Sequence, residues 1–419
     1  MSNKNILQRL GPGLLFAGAA VGVSHLVYST KAGALYGFGL IWLVLMANLF
    51  KYPFFEYGPR YAAATGESLL KGYQRLGKGF IGLFALITLG TMFTIQAAVT
   101  IVTASLAMNL FGLTSNIMVW VGILLVVCAG LLMVGRYQLL DNLMKVIIIT
   151  LTVITLISVI IAFGQSTTAI DWAPVFPTDA LGLTFIIAFM GWMPAPLDLS
   201  VWHSLWVLEK KEQQPEAFNA QQASFDFNVG YIGTTILALF FVALGALVMY
   251  NSGENFSPKG AVFAKQLITL YTSTLGDGMG FFVSIAAFIT MFSTTITCLD
   301  ALPRSMAKAH QLLRQDSSSQ TAQAPPKSYY IGWMLVLIVG SLVILNLFLT
   351  SMGAFLKVAT ILSFLTTPFF ALANYRLVTH YLPQEQQPSK RMHYLSWLGI
   401  AYLFVFCGIY LWSLYLGNL

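Results

Sequence analysis

Charge is what this sequence has least of. Only 9% of its 419 residues are Asp, Glu, Lys or Arg, 57% are hydrophobic, and mean hydropathy is +0.76. A soluble chain carries about 25% charged residues, so the chain is read as a polytopic, all-α integral membrane protein. Cysteine is scarce as well. Cys128, Cys298 and Cys407 all fall in apolar runs without metal-site spacing and read as small buried hydrophobes. No nucleotide-binding loop, metal-hydrolase helix or nucleophile motif occurs, and the five histidines are scattered. An enzyme is therefore not expected, nor is a cofactor. No cleavable signal peptide is expected, because the first apolar run is too long and lacks a small-residue cleavage site. Low-complexity repeats are absent, and the Ser/Gln-rich stretch 315–327 reads as a solvated loop. A sizeable soluble domain is missing too, which argues against a sensor or signalling subunit.

What is present is a series of long apolar stretches. Eleven are long enough to cross a bilayer, which takes about 20 helical residues. They lie near 12–36, 40–57, 80–110, 115–134, 143–164, 180–207, 226–250, 279–301, 329–350, 355–379 and 394–416. The net charge of +7 belongs to the loops and does not point to nucleic acid. With the N-terminus inside, 17 of the 22 Lys and Arg residues, among them Lys4, Arg9 and Arg136, fall on inner segments. Only Lys259 and Lys265 fall outside, as the positive-inside rule demands. This predicts a multi-pass protein of the cytoplasmic membrane, its N-terminus cytoplasmic and its C-terminus outside. Expected partners are a transported solute or ion and membrane lipid, with the protein a monomer or homodimer.

Two of these stretches are interrupted. In the sixth, Pro194 and Pro196 sit in the run 190–198 and leave the carbonyls of Met190 and Trp192 without their helical donors. Within lipid this is tolerable only where the freed groups face protein, water or a ligand. In the first, Gly18, Gly22, Ser24 and His25 weaken the helix near its middle. Stretches one and six lie five apart and so cross the bilayer in opposite senses. That is the pattern of two inverted five-helix repeats, residues 1–165 and 166–382, with an additional helix in 383–419.

Ionisable groups at membrane depth are functional candidates. His25 either bonds to neighbouring backbone or serves binding or proton transfer. Asp198 either caps the second half of the sixth stretch or meets substrate or a coupling ion. His203 is expected to pack at the membrane edge, with a vestibule role as the alternative. Met190 and Met193, one turn apart, are core packing or soft metal ligands. Ser293 and Thr294, in the run 293–297, either bond back to their own helix or help to complete an alkali-ion site. Lys51 and Glu56 are expected to pair with one another or to snorkel. The third stretch holds no ionisable residue, and Gln96 is its most polar interior member.

Gly11-Pro12-Gly13-Leu14-Leu15, then Ala32-Gly33-Ala34-Leu35-Tyr36-Gly37-Phe38, resembles the first span of the natural resistance-associated macrophage protein (Nramp) family of metal transporters. Ala47-Asn48-Leu49, Ala64-Thr65-Gly66, Met193-Pro194, His203-Ser204 and the run 293–297 extend the resemblance over most of the chain. It implies eleven spans, the LeuT-like inverted-repeat fold with discontinuous helices 1 and 6, and alternating access. The departures fall on the family's metal site. Its Asp-Pro-Gly-Asn signature aligns with Gly22, Val23, Ser24 and His25, and its Met-Pro-His signature becomes Met193, Pro194 and Ala195. Its third-span acid has no counterpart, and its tenth-span glutamine falls on Ala359. The segment from Met193 to His203 is also longer than the family's. A divalent ion wants carboxylate or imidazole ligands.

Two substrates are therefore expected. One is a cation, a metal ion included, held by Met193, His25 and Asp198 with backbone carbonyls. The other is a small organic or anionic solute bound at the half-helix ends. The substrate site is expected at Gly22, Ser24, His25, Met190, Met193, Pro194 and Asp198. The coupling-ion or proton route is expected at His25, Ser293, Thr294 and His203.

Overall fold

In the computed structural model the described residues are 10–134, 137–165, 171–213, 219–250, 257, 260–315, 325–348 and 352–415. Lys4, Arg9, Arg136, Lys259 and most of the 315–327 loop lie outside them. Every regular element among the described residues is helical, and the interruptions fall where glycine and proline stand. α1 (Pro12–Ala20) and α2 (Ser24–Tyr36) are bent by 47° at their junction, and α2 opens with a π-helical turn over Ser24–Ser29. Then follow α3 (Ile41–Thr65), the short α4 (Leu69–Leu76), α5 (Lys78–Phe111), α6 (Ile117–Val134) and α7 (Tyr137–Gln165). The second broken helix is α8 (Ala180–Trp192) and α9 (Leu199–Gln213). The chain continues through α10 (Ala220–Val248), α11 (Gly260–Leu275), α12 (Gly280–Arg314), α13 (Lys327–Phe348), α14 (Met352–Leu365), α15 (Thr367–His380) and α16 (Lys390–Tyr415).

Seven helices among the described residues are long and apolar enough to cross a membrane, or eight when α1 and α2 count as one span. The eleven expected stretches do not all meet that measure, for physical reasons. α3 carries Lys51, Glu56 and Arg60 within a few turns. α8 stops after 13 residues at its break.

The broken helices are held at the centre by backbone-to-backbone packing. α1 and α2 run along α10 on a seam of glycines. A Cβ at Gly13 would strike the Asp226 carbonyl, one at Gly230 the Gly13 carbonyl, one at Gly33 that of Val242, and one at Gly245 that of Thr30. Small residues let membrane helices approach this closely, since burial of apolar surface adds little between helices already in lipid. α8 meets α14 in the same way, with Gly191 against the Thr360 carbonyl, and α3 meets α9 with Gly58 against that of Ser200. α12 packs along α5 and closes the other flank of α1.

The N-terminus of α1 is closed by a distant side chain. The two carboxylate oxygens of Asp226, on α10, accept from the N–H groups of Gly11 (2.9 Å) and Gly13 (2.7 Å). These are orphan donors of a helix start, and a carboxylate also suits the positive end of the helix dipole.

Candidate functional site

The first break frees two carbonyls. The Gly22 N–H, which would serve Gly18 in a continuous helix, turns to Ala20 (3.0 Å), and the His25 N–H turns from Val21 to Gly22 (3.2 Å). Both freed oxygens face α12. The Thr294 hydroxyl stands 3.1 Å from the Gly18 oxygen, 3.3 Å from that of Val21 and 3.3 Å from that of Thr290. Ser293 donates to the Thr290 carbonyl at 2.7 Å. One hydroxyl proton serves one acceptor at a time. Thr294 therefore sits among more oxygen lone pairs than it can satisfy. Gly22 is small because it must be: a Cβ there would lie 2.8 Å from Thr294 Oγ1.

The second break frees carbonyls too, and there a cation already meets them. Lys51, on α3, is fully buried. Its ammonium donates to the carbonyls of Met190 (2.5 Å), Gly191 (3.2 Å) and Met193 (3.0 Å), with that of Ala195 at 3.5 Å. The expected pairing of Lys51 with Glu56 does not form. Glu56 accepts from Arg60 one turn along α3, at 2.8 and 3.0 Å. Hydrogen bonds from a charged donor contribute about 1.5–3 kcal/mol each, which is why the ammonium stays at the α8 terminus.

Between the breaks lies a cavity of about 20 Å³, lined by Ser24, Trp192, Ala195, Pro196, Trp202 and Thr294 among others. That is room for about one water, so the centre is closed around its site. A larger cavity of about 420 Å³ opens on the Tyr36 side of the bundle. Its lining includes Tyr28, Lys31, Phe185 and Lys357. On the opposite side an aromatic plug of Phe16, Phe55, His203, Phe227 and Tyr231 fills the space, ring centroids 5.2–5.9 Å apart.

Of the residues singled out from the sequence, Ser24 and Thr294 line the central cavity. Ser24 also lies 3.3 Å from the Pro194 carbonyl, so it links the two breaks. His25 turns away. Its Nε2 donates to the Thr234 carbonyl on α10 (3.0 Å), and its Nδ1 is 2.7 Å from Ser24 Oγ. Met190 turns its sulfur to α16, where the Tyr402 hydroxyl donates to it at 2.8 Å. Met193 and Pro194 contribute backbone carbonyls. Asp198 is buried, with Oδ1 lacking any partner. His203 lies inside the aromatic plug rather than at the membrane edge, both ring nitrogens unpartnered. Met193, His25 and Asp198 do not line the central cavity, and among the described residues no three His, Cys, Asp or Glu side chains gather as a metal site.

Sequence reasoning missed two partners, Lys51 at the α8 terminus and Tyr402 on Met190. The only signal for Lys51 was the need for some donor to replace those that Pro194 and Pro196 remove, which does not say which residue supplies it. Gln96, the most polar interior residue of its stretch, reaches from α5 to the Thr295 carbonyl of α12 (3.4 Å).

A bundle with two broken helices crossing at a closed, ion-sized centre defines a secondary transporter of the LeuT-like class. The chain matches the family described as natural resistance-associated macrophage protein-like over residues 13–413, and it belongs to that family. Members of the family are transporters rather than enzymes. A relative, the uncharacterized protein PM0681 of Pasteurella multocida, is 38% identical over 398 residues, 94% of this chain and 89% of its own length. Among solved structures, the Eremococcus coleocola manganese transporter superposes with a TM-score of 0.73 at 14% identity, covering 97% of this chain and 86% of that one. MhsT in complex with L-phenylalanine superposes with a TM-score of 0.61 at 15% identity, over 95% and 98%. At such identities the likeness speaks for the fold.

Proposed function

We propose that this protein is a cation-coupled secondary transporter that works by alternating access and carries a small organic or anionic solute, driven by an alkali ion such as sodium. The observation that carries the coupling is the pair of freed carbonyls, Gly18 and Val21, facing Thr294 across the first break. Oxygens from two helices brought within 3.1–3.3 Å of one hydroxyl suit a small alkali ion, which would satisfy lone pairs that one proton cannot. The solute would be seated at Ser24 and the Trp192 and Trp202 walls once the centre widens, since the closed cavity of about 20 Å³ has room for about one water. Lys31 and Lys357 in the larger cavity support an anionic solute, since a cleft lined by one sign of charge concentrates the opposite sign. The excess of basic residues on the other loops makes that cavity the outer vestibule of a cell-membrane protein whose N-terminus is cytoplasmic.

A second reading keeps a metal ion as the cargo, held by Met193, His25, Asp198 and backbone carbonyls. The manganese carried by the Eremococcus relative and the unpartnered Asp198 Oδ1 favour it. The donor set favours the first reading, because both His25 nitrogens are already engaged.

Sodium should raise the unfolding temperature of the purified protein saturably, as a ligand bound by the folded state alone must. Potassium and choline should not, and Thr294→Val should abolish the shift. Proteoliposomes should show no saturable manganese uptake. A protein indifferent to sodium that accumulates manganese would overturn the first reading in favour of the second.

A further inference from the structure

We infer that the Lys51 ammonium is a resident cation: it fills, from within the chain, the cation seat at the C-terminal end of α8 and so determines that the carrier does not take a cation at the second break. The inference deepens the proposed function, resting on its reading of the cargo as neutral or anionic.

The seat follows from the backbone. A helix that stops in the membrane exposes carbonyls, and its C-terminal end carries partial negative charge. In carriers built on broken helices such ends coordinate cations. Here Pro194 has no N–H to give to Met190, whose oxygen keeps only a long backbone bond of 3.4 Å from the Met193 N–H. The carbonyls of Met190, Gly191 and Met193 converge on one point, and Lys51 Nζ stands at it. An ammonium has three N–H groups, so these three carbonyls use them all. None is left for a solute, and Lys51 acts on the cargo through its field rather than by contact.

The charge is not cancelled nearby. Among the described residues Lys51 forms no ion pair, and Glu56, the nearest acid along α3, is held by Arg60. The stem is fixed as firmly as the head, with the whole side chain at 0% exposure. Snorkelling, the usual fate of a membrane lysine, would carry the ammonium out to water, and this one points inward. A divalent ion would have to compete with the ammonium for the same oxygens and to sit beside its charge.

The test is chemical replacement of the ammonium in the full-length protein in detergent. Lys51→Ala removes the stem beyond Cβ, leaving a space shaped for n-propylammonium. This variant should unfold at a lower temperature than the wild type. Propylammonium should restore a few degrees saturably, while tetramethylammonium, which has no N–H, should not. The wild type and Lys51→Met, whose space is filled, should respond to neither. Equal effects of the two amines on Lys51→Ala, or none from propylammonium, would overturn the inference.

Should Lys51→Ala fail to fold, Lys51→Met against Lys51→Arg decides. The inference requires Met to be the less stable and the poorer transporter, and Met equal to wild type on both counts would sink it. The sodium response of the wild type is measured separately. Its absence alongside propylammonium rescue would remove the proposed coupling and leave Lys51 in its role. Its presence without rescue would do the reverse.

Discussion

The two broken helices face the same physical problem and resolve it with opposite chemistry. At the α1–α2 break the freed carbonyls of Gly18 and Val21 meet a neutral hydroxyl with a single proton to share. At the α8–α9 break the carbonyls of Met190, Gly191 and Met193 meet a full positive charge with three donors. The first set of oxygens is under-served and the second is saturated. One fold can thus keep one ion seat open and shut the other by choosing a threonine on α12 and a lysine on α3.

The comparison can be broken most severely at Gly22. Its Cα faces Thr294, and an added methyl would lie 2.8 Å from Oγ1 and 2.9 Å from Cγ2. Gly22→Ala should push α12 off the first break and weaken the sodium-induced thermal shift by about tenfold in apparent affinity, the equivalent of roughly 1.4 kcal/mol. An unchanged sodium titration would show that the open seat lies elsewhere.

A smaller effect is expected at His25. The Thr234 carbonyl can only accept, so Nε2 carries a proton, and Nδ1 shares Ser24 with the carbonyls of Ala20 and Pro194. Protonation of Nδ1 would send the Ser24 proton to one of those carbonyls and couple the two breaks. His25→Ala should flatten the pH dependence of transport while the protein stays folded, and a profile identical to wild type would take His25 out of the mechanism.

The smallest effect sharpens the second break. Tyr402→Phe removes a hydroxyl from the Met190 sulfur, a weak acceptor. About 1 kcal/mol of stability at most should be lost, with transport unchanged. A large transport defect there would mean that α16 helps to shape the shut seat.

Much of this arrangement was legible in the residues. Proline at 194 and 196, glycine at 18 and 22, and the hydroxyl run 293–297 act on their own backbone or one helix face, so local rules reach them. Their spacing pointed to two inverted repeats, and the family resemblance implied the LeuT-like fold. Lys51 was not legible, because the donor and acceptors are 139 to 144 residues apart and only packing decides that the side chain points inward. The enclosure of His203 was not legible for a similar reason. Its helix predicts a position along the membrane normal, but the rings of Phe16 on α1 and Phe227 on α10 decide that it is enclosed. The eleven-span expectation counted apolar length and could not weigh the charges of α3, where Arg60 pairs with Glu56 and Lys51 is held by carbonyls of α8.

The glycine seam between α1–α2 and α10 has a mechanical meaning. Gly13 and Gly230 interlock below the break, Gly33 and Gly245 above it, with backbone against backbone at each point. Two rods welded at both ends cannot hinge against each other, whatever the joint in one of them does. The 47° bend is therefore a fixed elbow in a single strut made of three helices. Any rocking that opens the centre would then be a slip of that strut against the helices packed around it, α12 among them. The coupling ion would sit on the sliding surface, where it can act as a latch.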